Sequence, residues 1–113
     1  MADSVTMGRG TTPVYVLHVT GVDTTILHDI YMTFEQNKSN QELTKHSPDI
    51  QIVPGSSADE TYAYLQLTQE ETLAFNKGSG KVQIRFIDKD GNAFKSTIVN
   101  MQISDVLYEE VIS

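Results

Sequence analysis

The chain has 113 residues, contains no cysteine and carries a formal net charge of −7. This length suits one domain that buries roughly two thirds of its unfolded surface, and the absence of cysteine excludes a disulfide framework, a zinc ribbon and thiol chemistry. The acidic balance, with eight scattered basic residues, argues against binding a nucleic-acid backbone, which requires clustered lysine and arginine.

The start of the sequence is polar and contains glycine, so residues 1–12 are predicted to form a flexible N-terminal arm. This stretch lacks the apolar run of a signal peptide. No segment of the chain approaches the roughly 20 apolar residues of a membrane span, so we expect no membrane partner.

From residue 13 onward, the hydrophobic pattern has a period of two, which is typical of half-buried strands. In the second predicted strand, Ile30, Met32 and Phe34 share one face. Turn-forming residues, such as those at 37–40, separate the strands. The predicted strands cover residues 13–19, 29–36, 43–45, 50–53, 60–67, 81–87 and 93–103.

The later strands are separated by one helical signal and one hairpin signal. Thr68 and Glu71 form a capping box, because each side chain can bond a free backbone N–H of the other, which predicts a helix of about two turns. The pair Asp90-Gly91 predicts a hairpin. The apolar parity changes within the last strand, which predicts a β-bulge near residues 97–99.

Seven short strands, one helical crossover and no internal repeat predict an all-β fold, an antiparallel immunoglobulin-like β-sandwich, with a small barrel as its rival. The sandwich domain is predicted over residues 13–104. An apolar C-terminal tail follows at residues 105–113.

The sequence offers no convincing catalytic, cofactor-binding or metal site. His18, His28 and His46 lack partners at metal-ligand spacing. The segment that starts at Asp88 resembles the opening of a calcium loop, but the twelfth position holds Val99 where such a loop needs glutamate. We therefore expect neither a metal ion nor a cofactor, and we expect that the chain is not an enzyme.

Two groups of residues are candidates for an interface. If the alternate residues of the strand at 60–67 face the core, two tyrosines stand together on the outer face, and tyrosine is enriched in protein interfaces. The apolar tail of a small sandwich either folds back or docks on a neighbour. The candidate interface residues are Tyr62, Tyr64, Val106, Leu107, Tyr108, Val111 and Ile112.

Six short blocks of the sequence carry a resemblance to a known family. They lie at residues 9–13 (RGTTP), 31–36 (YMTFEQ), 67–75 (LTQEETLAF), 82–86 (VQIRF), 90–91 (DG) and 106–107 (VL). Together they resemble the small β-sandwich structural proteins of phages and prophages of Gram-positive gut bacteria. The layout is also similar, more distantly, to the N-terminal domain of phage upper baseplate proteins.

The resemblance implies a virion protein of the tail, baseplate or fibre apparatus that is assembled in the bacterial host cytoplasm. Its expected partners are other virion proteins and copies of itself in a homo-oligomer, with no nucleic acid. Two alternatives stay open: a capsid (head) decoration protein, and a carbohydrate- or receptor-binding module that uses Tyr62 and Tyr64 as a stacking platform.

Overall fold

The structure is a computed structural model that describes residues 4–20, 25–36, 40–56, 60–96 and 98–113. Over these residues the chain forms nine β-strands and one short α-helix. The strands are β1 Ser4–Gly8, β2 Val14–Thr20, β3 Leu27–Gln36, β4 Gln41–His46, β5 Ile50–Pro54, β6 Glu60–Gln66, β7 Gly78–Asp88, β8 Ala93–Lys95 and β9 Val99–Ser104, and the helix is α1 Gln69–Leu73.

The described strands form two packed sheets. The larger sheet has the order β1-β9-β7-β3-β4, with β8 beside β7, and the smaller sheet has the order β2-β6-β5. In the lettering of the immunoglobulin fold, β2, β3 and β4 correspond to strands B, C and C′, and β5, β6, β7 and β9 correspond to D, E, F and G. The smaller sheet then has the order B-E-D, and the larger sheet contains the order G-F-C-C′, as in immunoglobulin-like sandwiches. The predicted all-β, immunoglobulin-like sandwich is therefore confirmed.

The first described strand differs from the sequence prediction. Residues 4–8, expected within a flexible arm over 1–12, instead form β1, which pairs in parallel with β9. Met7 is 1% exposed in the core, and the hydroxyl of Tyr15 donates to the carbonyl oxygen of Thr6 at 2.9 Å. Burial raises the pKa of Tyr15 to about 12. The sandwich thus begins before residue 13 and contains a parallel strand pair, while residues 1–3 lie outside the described part.

The core lies between the inner faces of the two sheets. Ile30, Met32 and Phe34 of β3 are buried, as their alternation predicted, and they face Ala63 and Leu65 of β6 in one apolar cluster. Burial of each large apolar side chain contributes about 1.5–3 kcal/mol to folding. From Asp29 onward, the same alternation leaves the odd-numbered residues of β3 on the outer face, as it leaves the even-numbered residues of β6, whereas Leu27 is buried because the register of β3 with β7 shifts between Leu27 and Asp29.

The last predicted strand is two strands in the structure. β8 pairs with β7 across the predicted hairpin, and Gly91 adopts a φ of 88°, a left-handed conformation that favours glycine. β9 then pairs with the first half of β7 and buries Met101 and Ile103. The change of apolar parity within the predicted strand at residues 93–103 therefore comes from the break between β8 and β9. Position 97, in the predicted bulge, and positions 37–39, in a predicted turn, lie outside the described residues.

The predicted helix is present and shorter than expected. Its N-cap is Thr68, whose Oγ1 accepts from the backbone N–H of Glu71, while the Glu71 carboxylate accepts from the backbone N–H of Thr68. The Glu71 carboxylate also binds Lys45 of β4 at 2.7 Å. The capping box therefore fixes the crossover between β6 and β7 and ties it to the edge strand of the larger sheet.

Candidate interaction surfaces

The last nine residues, 105–113, follow β9 without helical or strand structure, and we call them the C-terminal segment. Its large apolar side chains lie mostly in solvent: Leu107 is 103% exposed and Tyr108 is 64% exposed, and Val111 and Ile112 are also exposed. Val106 is half-buried beside Gly10. Four of the five predicted apolar residues of this segment therefore remain available for contact with another molecule.

A buried arginine holds this segment against the domain. The Arg9 side chain is 8% exposed, and its Nη1 donates to Asp105 at 2.7 Å and to Glu109 at 2.6 Å. Its other donors reach the carbonyl oxygens of Phe75 (2.6 Å) and Leu73 (3.1 Å) at the end of α1. The planar guanidinium can serve all four acceptors because it carries five N–H donors in a fixed fork.

The charges of this cluster stabilise one another. The Glu109 and Asp105 carboxylates raise the pKa of Arg9 further above its ordinary value. The backbone N–H of Val106, and then Arg9, hold the pKa of Asp105 below its ordinary value. The charged forms of Arg9 and Asp105 are therefore those that the fold favours.

Two further residues fix the same region through hydrogen bonds. The Gln69 amide donates to the carbonyl oxygen of Ile112 and accepts from its backbone N–H, both at 2.9 Å. The buried Thr72 hydroxyl accepts from the N–H of Gly10 and donates to the carbonyl oxygen of Thr11. The C-terminal segment is thus held near its start through the Asp105 side chain and near its end through the Ile112 backbone, while most of its apolar side chains are exposed.

The outer face of the smaller sheet contains both tyrosines predicted as interface residues. Tyr64 is 39% exposed and lies opposite Val16 of β2, which is also exposed. Tyr62 is half-buried because its ring stacks on His18, with centroids 4.6 Å apart and planes within 8°. This face therefore presents an apolar and aromatic surface, although one of its two tyrosines is already covered by a histidine.

Two histidines form exposed pairs with carboxylates. The Nε2 atom of His18 lies 2.9 Å from Glu60, whose other oxygen accepts from the backbone N–H and hydroxyl of Ser56. The Nδ1 atom of His46 lies 3.2 Å from Asp29. Each carboxylate orders a neighbouring turn or strand end, so both pairs have a structural role in the fold.

No group of three or more His, Cys, Asp or Glu residues that could hold a metal ion occurs among the described residues. At the site that resembles a calcium loop, Asp88 accepts from the backbone N–H groups of Asp90 and Asn92 and from the Asn92 amide. These bonds hold the pKa of Asp88 below its ordinary value and form the hairpin turn. In the same described ranges, no helix is long and apolar enough to cross a membrane.

The role of Arg9 was missed by sequence reasoning, which placed it only in a resemblance block. Its acceptors Asp105 and Glu109 lie 96 and 100 positions away, so no local spacing relates them to Arg9. A lone arginine between two glycines, followed by Thr-Thr-Pro, carries no signal of burial. This contact depends on the parallel pairing of the first and last strands, which brings the two ends of the domain together.

No protein-family model and no curated protein sequence matches the chain. Among solved structures, the chain is similar to AggA, the major subunit of aggregative adherence fimbriae type I from Escherichia coli. The match has 11% sequence identity and a TM-score of 0.40, and it covers 91% of this chain and 89% of AggA. At this identity and TM-score, the likeness carries no argument about function.

Proposed function

We propose that this chain is a non-enzymatic structural protein that assembles with copies of itself through protein–protein contacts. The observation that carries the proposal is the geometry of the C-terminal segment. Arg9 holds the segment through the carboxylates of Asp105 and Glu109, and Gln69 holds its backbone at Ile112. Leu107, Tyr108 and Ile112 nevertheless present their apolar side chains to solvent. A segment fixed in this way loses little conformational entropy when it docks, which favours binding.

The apolar outer face of the smaller sheet supports the same proposal. Val14, Val16 and Tyr64 are exposed on neighbouring strands, and β2 and β5 are the edge strands of that sheet among the described residues. Exposed apolar side chains and open strand edges are both typical of surfaces that bind another protein chain. A repeated structural protein needs at least two such surfaces in order to extend an assembly.

The finer part of the proposal is that the assembly is a phage virion, in its tail, baseplate or fibre apparatus. Its support is the resemblance of the blocks at residues 9–13, 31–36 and 67–75 to small phage structural proteins. The 9–13 block contains Arg9, and the 67–75 block contains α1, so two of these blocks form the anchor of the C-terminal segment. In this proposal the chain is made in the host cytoplasm and contacts other virion proteins as well as its own copies.

Electron microscopy of purified particles labelled with an antibody against this chain tests the virion assignment. We expect label on the tail or baseplate. Label confined to capsid faces would instead indicate the alternative, a head decoration protein. Purified virions without label would refute the virion assignment.

A second candidate function is glycan binding, favoured by an open depression beside Tyr64. Asp49, Gln51 and Gln66 line this depression together with Tyr64, so an exposed aromatic ring stands among polar groups that could bond sugar hydroxyls. If this candidate is correct, glycan-array binding by the wild type is lost in Tyr64→Ala and kept in a Tyr108→Ala control. Absence of binding by the wild type would reject it.

A further inference from the structure

The outer face of the larger sheet places two cations directly opposite each other. Arg85 of β7 is in register with Lys95 of β8 on one side and with Tyr31 of β3 on the other, and Tyr31 is in register with His46 of β4. The rings of Tyr31 and His46 stack with centroids 4.8 Å apart. These side chains point outward because their neighbours along β3 and β7 pack in the core.

This pairing of charges is unfavourable for the isolated domain. Like charges directly opposite each other destabilise an antiparallel strand pair. Neither Arg85 nor Lys95 makes a side-chain hydrogen bond or an ion pair with any of the described residues. Features that cost stability without a compensating contact are expected at functional sites, so this pair indicates a binding partner that supplies negative charge.

The same face also carries apolar surface. Tyr31 is partly exposed, and Ile98, at 59% exposed, lies in a shallow depression whose polar lining comes from Thr33, Glu35, Lys81 and Gln83. We call this surface, formed by Arg85, Lys95, Tyr31, His46 and Ile98, the cationic face. Its partner should combine carboxylates with exposed apolar side chains.

The C-terminal segment has this combination. Glu110 is exposed and makes no ion pair within the described ranges, and it lies among Leu107, Tyr108 and Ile112. Glu70 of α1 is also exposed beside Val111. The segment is therefore acidic and apolar where the cationic face is basic and apolar.

The segment and the cationic face of one copy are too far apart to meet. The segment is bonded to Arg9 and Gln69 near the end of the sandwich where β7 begins at Gly78. Arg85 lies seven residues further along β7, which is about 23 Å at 3.3 Å per residue. A segment held at both of its ends cannot extend over this distance, so the partner must be a different molecule.

We propose that the C-terminal segment of one copy docks on the cationic face of a second copy, with Glu110 against Arg85 and Lys95. This inference rests on the proposed self-assembly and names its contact. The two surfaces are different, so the contact is heterologous and head-to-tail, and repetition produces a ring or a filament. The opposite charges make the contact weaken as salt rises.

Sedimentation velocity at low and high salt tests this contact with four single or double variants. Arg85→Glu and Glu110→Arg should each raise the dissociation constant of self-association about tenfold or more, because each sets like charges against each other. The double variant Arg85→Glu/Glu110→Arg should regain most of the wild-type association. Lys89→Glu, in the turn after β7, is the control with the same change of charge and should associate as the wild type does.

The outcomes separate this inference from the proposed function. A wild-type protein that stays monomeric at every concentration overturns self-assembly and this contact with it. If the wild type associates but Arg85→Glu associates equally well, self-assembly stands and this contact is wrong. A single-stranded oligonucleotide that binds the wild type and not Arg85→Glu, with self-association unchanged, assigns the face to a nucleic acid and also overturns the inference.

Discussion

At the scale of single residues, Arg9 connects three parts of the chain that are distant in sequence. Its guanidinium contacts the end of α1 through two carbonyl oxygens and the C-terminal segment through two carboxylates. The two carboxylates are partly exposed, so water can replace Arg9 as their hydrogen-bond partner. The hydrogen bond from Arg9 to the carbonyl oxygen of Phe75, in contrast, is buried. Loss of Arg9 should therefore release the segment more than it unfolds the domain.

We expect Arg9→Met to lower the free energy of unfolding by about 1–3 kcal/mol, since it removes hydrogen bonds of a charged group and leaves carbonyl oxygens without partners. Amide hydrogen exchange in residues 105–113 should become faster at the same time. Urea unfolding and exchange mass spectrometry measure the two effects. Arg85→Met is the matched control and should change stability by less than about 0.5 kcal/mol, and an equal effect of both substitutions would contradict the anchoring role of Arg9.

Asp105 gives this anchor a dependence on pH. Its pKa lies below the ordinary value of 3.8 in the folded state, so its ionised form contributes stability that is present above pH 3.8 and is lost as the pH falls through the lower folded pKa. The stability difference between the wild type and Asp105→Asn should therefore be largest near neutral pH and shrink below pH 3.8. Urea unfolding at several pH values measures it. Glu110→Gln is the control. The prediction would be refuted if the free energies of unfolding of the wild type and Asp105→Asn differed by the same amount below pH 3.8 as at neutral pH.

At the scale of elements, β1 decides whether the first residues belong to the sandwich. The strand is short and pairs only with β9 among the described strands, but it contributes Met7 to the core and contacts Tyr15 through the carbonyl oxygen of Thr6. The turn that follows contains Gly10, whose φ of 76° favours glycine. This turn positions Arg9 and leads the chain from the larger sheet to the smaller one.

Met7→Ala should destabilise the protein by about 2–5 kcal/mol, the usual cost of truncating a buried large aliphatic side chain. Thr6→Ala, at the neighbouring exposed position, should have an effect of less than about 0.5 kcal/mol. Equilibrium unfolding in urea compares the two variants. Equal, small effects would mean that residues 4–8 behave as the flexible arm that the sequence indicated.

The elements that the sequence predicted well are those defined by local patterns. The period of two placed Ile30, Met32 and Phe34 inward, and the capping box placed Thr68 at the start of the helix. β1 was missed because a single buried residue, Met7, in a polar and glycine-containing stretch gives too short a pattern to distinguish a strand from an arm. Its order comes from pairing with β9, a contact between opposite ends of the chain.

At the scale of the whole molecule, the acidic and basic groups are unevenly distributed. The uncompensated cations Arg85 and Lys95 lie together on β7 and β8, although they are ten positions apart in the sequence and no basic cluster is visible there. The exposed tyrosine and the apolar tail were predictable from alternation and composition. The cationic face was not, because it depends on the register of four strands, β3, β4, β7 and β8.

Assembly through the C-terminal segment is tested most directly by the molar mass of the protein in solution, measured by light scattering from micromolar to millimolar concentration. We expect the average mass of the wild type to rise with concentration. The mass of Leu107→Ser/Tyr108→Ser should stay at that of one copy, because this variant removes two of the three most exposed apolar side chains of the segment. Ile26→Ser, which alters an exposed apolar side chain elsewhere, should assemble as the wild type does. A wild-type mass that stays at one copy throughout, or a Leu107→Ser/Tyr108→Ser variant that assembles as the wild type does, would contradict this role of the segment.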